Sequence, residues 1–420
     1  MYVGDISFDE LCAEISGAVG DALSGEQTGI SAVVTPFSHL RRAAPSLPTC
    51  VIHVARTKLH AALVSFSENG AVTLKSEISA DLPDFGAGPR ELCVQIARLT
   101  TELVQDCGTI GVCLGYPIQM SSDGDAVFEA APGFSIRAHL LDAYGDSIIE
   151  GVRCVVCNSA VATMLASEAV QGVHPEFESA IGCIVDPDAH ACYEESRLTT
   201  SGVSRRRIVF LDLSHHRSRF VTDRDAEFDV RTRDSQPDGA RLGAFGKMLG
   251  GRYLGPLVLA VLHGAAREGA FSPDGSKRIL ALDRLSSSDL SLYLGESIGG
   301  AGRRGRSTYA SSLGTALMSA PVSDGDVAAS ICRLLVSRAA CFSAAVVGAL
   351  AMRSGAGRNP DQPMCLVLTG PVFENTIGLR AETERILTEK LADRHGYHLY
   401  SAEMPFAALV GAAVAARRPL

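Results

Sequence analysis

In residues 7–24 the apolar side chains Phe8, Leu11, Ile15, Val19 and Leu23 recur every three to four positions, the period of one helix face, and predict an amphipathic N-terminal helix. The period then shortens. Apolar, β-branched runs at Cys50–Val54 and Ala61–Phe66, the Asn69-Gly70 turn and Val72–Leu74 predict a meander of strands. A helix over Gly88–Asp106, a strand over Thr109–Gly115, a helix near Ala138–Tyr144 and a strand over Val152–Cys157 come next, with a further helix from Asn158 to about Glu168. This alternation predicts parallel strands covered by helices. The pattern restarts with strands near Ala180–Val185, His190–Tyr193 and Ile208–Leu213, then a polar, turn-rich stretch at Arg231–Gly243, long helices over Phe245–His263 and Val327–Met352, and a strand at Met364–Thr369 that ends on Gly370. Two α/β lobes of one plan, with a ligand site between them, are the layout these patterns predict.

Chain length agrees, since 420 residues exceed what a single core of ordinary size organises. A net charge of −9 excludes a general polyanion binder, because neutralising phosphates takes a surplus of clustered Lys and Arg. Nucleic acid is therefore not an expected partner. The basic runs Arg205-Arg206-Arg207 and Arg303-Arg304-Gly305-Arg306 read as solvated loops. Acidic residues through the first twenty positions, without a basic start and apolar run, are unlike a secretion signal and predict a cytoplasmic protein. Arg333 and Arg338 interrupt the most apolar stretch, so it is read as a buried helix rather than a membrane span. Twelve cysteines are then expected as free thiols. Cys154-Val-Val-Cys157 has the spacing of half a zinc site but lies in a strand-like run with no second such pair, and is read as structural.

Six segments in this order resemble the hexokinase family: Ile110–Gln119, Cys157–Ala166, Ile181–Glu194, Phe245–Gly255, Val327–Ala351 and Leu366–Phe373. The resemblance spans nearly the whole chain. It implies an α/β fold, the two-lobed actin-like ATPase (ribonuclease H-like) hexokinase fold, with residues 45–203 as the small lobe and residues 1–44 and 204–420 as the large one. It also implies a chemistry, transfer of the ATP γ-phosphoryl group to a sugar hydroxyl whose proton a carboxylate accepts.

That chemistry is not matched residue by residue. The family's base is the Asp of Asn-Asp-Thr, and the corresponding residues are Asn158-Ser159-Ala160; an unactivated serine is far too weak a base to replace it. The family's Thr-Lys-Gly-Phe falls on Ala131-Pro132-Gly133-Phe134, its Asn-x-Glu-Trp-Gly on Phe210–Ser214, and the Glu of Phe-Glu-Lys-Met on Gly246. Of the sugar contacts, Asn158 and Asp212 remain. The first phosphate loop, Asp-x-Gly-Gly-Thr-Asn in the family, reads His53-Val54-Ala55-Arg56-Thr57-Lys58, and the second reads Asp186-Pro187-Asp188-Ala189-His190. Side chains at Ala55 and Arg56 keep backbone N–H groups from close approach to phosphate, although Arg56 and Lys58 offer charge, and Pro187 removes a donor. Thr57 and Gly370, which keeps the strand-to-glycine turn of the adenosine end, are the residual nucleotide-side candidates. Phe406–Ala415 keeps the family's small residues without the glycine-lysine pair before them.

Two readings stand at this point. One is a hexokinase-like protein without ordinary hexose kinase activity, serving as a regulator or scaffold or binding an altered ligand; an interaction module with an empty cleft is its blander form. The other is an active sugar kinase or other enzyme with a site rebuilt from His53, Arg56, Asp186, Asp188, His190 and Asp212. An active member would use Mg-ATP, and no other cofactor is assigned. Asp188 with His190, and His215-His216, are read as solvated turns rather than metal ligands. Expected partners are a sugar or other small molecule, or a protein, with neither nucleic acid nor membrane.

Overall fold

The computed structural model describes residues 6–38, 48–55, 58–67, 71–82, 88–105, 107–116, 118–170, 176–185, 189–196, 199–200, 203–204, 206–232, 243–298 and 310–418. The strands are β1 (Ser31–Val34), β2 (Thr49–Ala55), β3 (Lys58–Phe66), β4 (Val72–Asp81), β5 (Thr109–Leu114), β6 (Ile118–Met120), β7 (Ala126–Phe128), β8 (Ala131–Ser135), β9 (Arg153–Asn158), β10 (Ala180–Val185), β11 (Ala189–Glu195), β12 (Thr199–Thr200), β13 (Val203–Ser204), β14 (Arg207–Asp212), β15 (Met364–Thr369) and β16 (Leu399–Ala402).

Five strands form one sheet in the order β4-β3-β2-β5-β9, and six form another in the order β1-β14-β11-β10-β15-β16. Each repeats one plan. In the first, β2, β3 and β4 pair antiparallel and β5 and β9 add in parallel; in the second, β10, β11 and β14 pair antiparallel and β15 and β16 add in parallel. Parallel neighbours need a crossover, and the helix Pro89–Val104 supplies the one that reaches β5.

β10 hydrogen-bonds to β15, and β11 to β14, so residues 180–195 belong to the second sheet. The C-terminal helix Ala407–Arg417 crosses back and packs on β2, β5 and β9. Between the sheets this helix meets Ser159–Leu165 at van der Waals limits: a Cβ on Gly411 would overlap the Ala162 carbonyl, and one on Gly182 of β10 would stand 2.6 Å from the Met164 nitrogen. Small residues are required wherever two backbones approach this closely.

The apolar helix Val322–Ser354 is long enough to cross a membrane, but 89% of its most apolar window is buried. Arg333 faces outward, while the buried Arg338 guanidinium pairs with Asp225 and lies 5.6 Å over Phe342. The stretch expected as one helix over Phe245–His263 is two, Ala244–Leu249 and Gly251–Arg267, divided at Gly250. All twelve cysteines are buried free thiols. Of the basic runs, Arg206 pairs with the buried Glu194 at 3.6 Å and Arg207 opens β14 rather than a solvated loop; Arg205, Arg303–Arg306 and the Asn69-Gly70 turn lie outside the described residues.

Candidate functional site

β2, β5 and β9 run parallel, so their carboxyl ends open at one edge of the sheet, where ligands bind in open α/β folds. Asn158 ends β9 and caps the helix after it, its Oδ1 accepting from the Ala160 N–H at 2.8 Å. This fixes Ser159 as the first helical residue, 7% exposed. Register places His53 of β2 beside Cys113 of β5, and the side chains from all three strands meet. Ser159 Oγ lies 3.3 Å from His53 Nε2 and accepts from the Cys113 thiol at 3.4 Å. Burial, and then the neighbouring His60, push the His53 imidazole down to about 4. The ring is therefore neutral near pH 7 and shares a hydrogen bond with the Ser159 hydroxyl.

On the facing sheet Asp212 ends β14, its Oδ1 accepting from the Ser214 N–H at 2.8 Å. His190 stands opposite in β11, with Nε2 3.8 Å from the same oxygen and its ring edge-on to Phe210 at 5.3 Å. Alternation puts His190 on the face of Cys192 and Asp212 on the face of Phe210, the side that packs against the helix Ser159–Leu165. Gly246 presses on the turn after Asp212: its N–H donates to Ser214 O at 3.2 Å, and a Cβ would come within 2.9 Å of that oxygen. A main-chain carbonyl thus fills the space next to the position where the resemblance implies a glutamate. Lys247 turns away into the protein and pairs with Asp229 at 2.7 Å.

The remaining predicted residues are dispersed. Gly370 has φ +117°, and a Cβ there would overlap the Val185 carbonyl; this close approach requires glycine whether or not a nucleotide binds. Lys58, offered as a charge for phosphate, instead pairs with Asp81 of β4 at 2.9 Å, both well exposed. Thr57, Arg56, Asp186 and Asp188 lie outside the described residues. Phe134 of β8 stacks on His139 at 3.8 Å. His215 is exposed as expected of a surface turn, but His216 is not: it is buried, with Nε2 2.9 Å from Glu14 and its ring edge-on to Phe245. Burial pushes this imidazole down and outweighs Glu14. Phe406, half exposed and at φ +56°, caps the C-terminal helix in the left-handed region that a glycine occupies without cost. Nothing in its local spacing singled it out beyond the missing glycine-lysine pair.

Mg-ATP requires hard oxygen ligands for the metal and main-chain N–H groups free to approach the phosphates. The crevice at β2, β5 and β9 presents imidazole, thiol, hydroxyl and a capping amide. Arg56, Thr57, Asp186 and Asp188, which the resemblance places at the phosphates, lie outside the described residues.

The family model described as hexokinase matches residues 181–417. Among solved structures, the chain is similar to a hexokinase at 17% identity, with 98% of this chain and 96% of that one aligned and a TM-score of 0.74. It is similar also to the hexokinase from Schistosoma mansoni complexed with glucose, at 16% identity, 98% and 96% coverage and a TM-score of 0.71. A glucokinase from an Antarctic psychrotroph aligns over 88% of this chain and 98% of its own, at 13% identity and a TM-score of 0.51. These likenesses show the two-lobed actin-like ATPase fold. No curated protein matches the sequence.

Proposed function

Because the chain belongs to the hexokinase family, we propose that it is a hexokinase-fold protein without ordinary hexose kinase activity, retained in the cytoplasm as a regulator or scaffold or as the binder of a different ligand. The observation that carries this reading is the Ser159 hydroxyl hydrogen-bonded to His53 at the positions of the family's base and first phosphate-loop carboxylate. Phosphoryl transfer to a sugar hydroxyl needs a group that takes the proton as the new bond forms. General base assistance contributes on the order of 10²–10⁴-fold, and a serine hydroxyl, far too weak a base near neutral pH, does not supply it. Sugar recognition is reduced in parallel, since each lost hydrogen bond to a buried hydroxyl costs about 1–3 kcal/mol.

The test is a thermal-shift screen of the purified protein with Mg-ATP, other nucleotides, glucose, fructose and mannose, followed by an ATP-consumption assay. A ligand bound only to the native state raises the melting temperature by mass action. Turnover of a hexose at rates ordinary for a kinase overturns the proposal.

One observation favours the second reading, an enzyme with a rebuilt site. His190 has the Asp212 carboxylate 3.8 Å from its Nε2, so an imidazole and a carboxylate stand side by side at the ends of two paired strands. Turnover with any nucleotide or sugar that disappears in His190→Ala would establish this reading in place of the first.

A further inference from the structure

Among the described elements the chain passes between the two sheets at three places. It leaves β1 for β2 after Phe37, whose carbonyl still accepts from the Ile208 N–H of β14 at 2.9 Å, and it returns from β9 to β10 through the helix that Ser159 begins. The third crossing leads from β16 of the second sheet to the C-terminal helix Ala407–Arg417, which packs on β2, β5 and β9 of the first. Any change in the angle between the sheets has to be absorbed in these segments, since a hinge turns at the few residues that join two packed units.

One side chain meets all three. Arg418 closes the C-terminal helix, its N–H donating to Ala415 O at 3.3 Å. Its guanidinium pairs with the Glu168 carboxylate on the second crossing, and through Nη1 it donates to the Ser38 carbonyl on the first. Its own carbonyl accepts from Arg153, the first residue of β9. Only 7% of the Arg418 side chain and 3% of the Glu168 side chain are exposed, so salt screens the pair little. The second and third crossings also touch directly, where Gly411 meets the Ala162 carbonyl. A planar fork holds a carboxylate and a carbonyl at once, whereas an ammonium is a single point of charge. Arginine, and not positive charge alone, is what this junction uses. Apolar residues of like volume often serve stability as well as a buried ion pair does, which leaves the joining of the crossings as the property particular to this one.

We propose that Arg418 is a hinge pin: by holding Glu168 and the Ser38 carbonyl together it ties the three crossings into one block and keeps the two sheets, with the crevice between them, at one relative angle. The assignment rests on the crossings and is independent of what the cleft binds. It is tested in the full-length protein by pulsed electron resonance distance measurement between spin labels at Thr73→Cys of β4 and Lys390→Cys, two exposed positions, the second on a segment whose Leu387 and Leu391 pack in the core of the second sheet. The twelve native thiols are buried, so the labels go to the introduced cysteines. A rotation on the order of 15° carries a point about one strand length, ~20 Å, from the axis through roughly 5 Å. The distance distribution should be narrow in the parent protein and wider by about this amount in Arg418→Lys, which keeps the charge but not the fork, and in Glu168→Met with Arg418→Met, which leaves no buried charge unpaired. A distribution as narrow as the parent's in either folded variant overturns the proposal. If the double variant fails to fold, Arg418→Lys decides, and failure of Arg418→Lys itself to fold would make Arg418 a folding determinant and not a pin. A wide distribution in the parent protein overturns the proposal without any variant.

Discussion

Ser159 Oγ and His53 Nε2 stand 3.3 Å apart across 106 residues of sequence, so the two side chains at the heart of the first crevice satisfy each other. The pair carries no net charge near neutral pH, because the imidazole is held neutral by burial. Two carboxylates in the same places would repel each other unless a cation lay between them. A neutral pair needs no such cation to be stable, and this is why the crevice is self-contained.

Replacing Ser159 by Asp puts a carboxylate against His53. An adjacent negative charge favours the imidazolium, so the His53 pKa should climb from about 4 by at least ~1 unit. Histidine NMR titration of the variant reads this directly. On the proposed function, the substitution alone should confer no hexose turnover, since Gly246 and Ala131-Pro132 remain as they are. An unmoved titration would mean that the two side chains do not share a hydrogen bond.

The same histidine makes stability depend on pH. Its pKa is 6.5 in the unfolded chain and about 4 in the folded one, so between these values the unfolded state binds the extra proton and stability rises with pH. Stability is full above about 6.5 and is lost progressively as pH falls toward 4, by an upper limit on the order of 3 kcal/mol for a complete shift. Buried His216, also pushed down, adds a slope of the same sign. Denaturant unfolding from pH 4 to 7 should therefore show a rise that His53→Gln flattens in part, and an unchanged slope in that variant would remove His53 as the cause.

Gly411→Ala tests how the C-terminal helix is seated. The added methyl group meets the Ala162 carbonyl, a backbone atom with no rotamer to yield, so the helix must lift from its neighbour. Overpacking of this kind costs about 1–3 kcal/mol, and here the upper end or beyond is expected in chemical denaturation. A neutral substitution would show that the two helices separate more easily than their packing implies.

Much of this architecture was legible in the chain. The restart of the strand pattern at Ala180 marked the second sheet, because strands that begin a new meander pair with strands later in the chain. Asn158 announced a helix start by its residue type, which located Ser159 correctly. The His53 contact was not legible, since hydrogen bonds between strand ends depend on which strands become neighbours. Lys58 looked free for the same reason: its partner Asp81 arrives only through the pairing of β3 with β4. His216 was hidden in a polar string, and its burial comes from Glu14 on the N-terminal helix, a partner 202 positions away.

Gly246→Glu asks whether the family's side chain can be put back. A glutamate at this position would carry its Cβ within 2.9 Å of the Ser214 carbonyl, and Ser214 is anchored twice, its Oγ accepting from the Ala189 N–H at 3.1 Å and its own N–H donating to Asp212 at 2.8 Å. The turn cannot retreat without releasing Asp212 and the start of β11. A loss of about 1–3 kcal/mol in stability is therefore expected, with no gain in the thermal shift produced by glucose. Both outcomes follow from the proposed loss of the sugar site and from the Ser214 carbonyl that stands where the side chain would have to pass. If instead the variant unfolded like the parent protein and glucose raised its melting temperature only in the variant, the turn would have to be mobile enough to reopen, and the glutamate alone would decide sugar affinity.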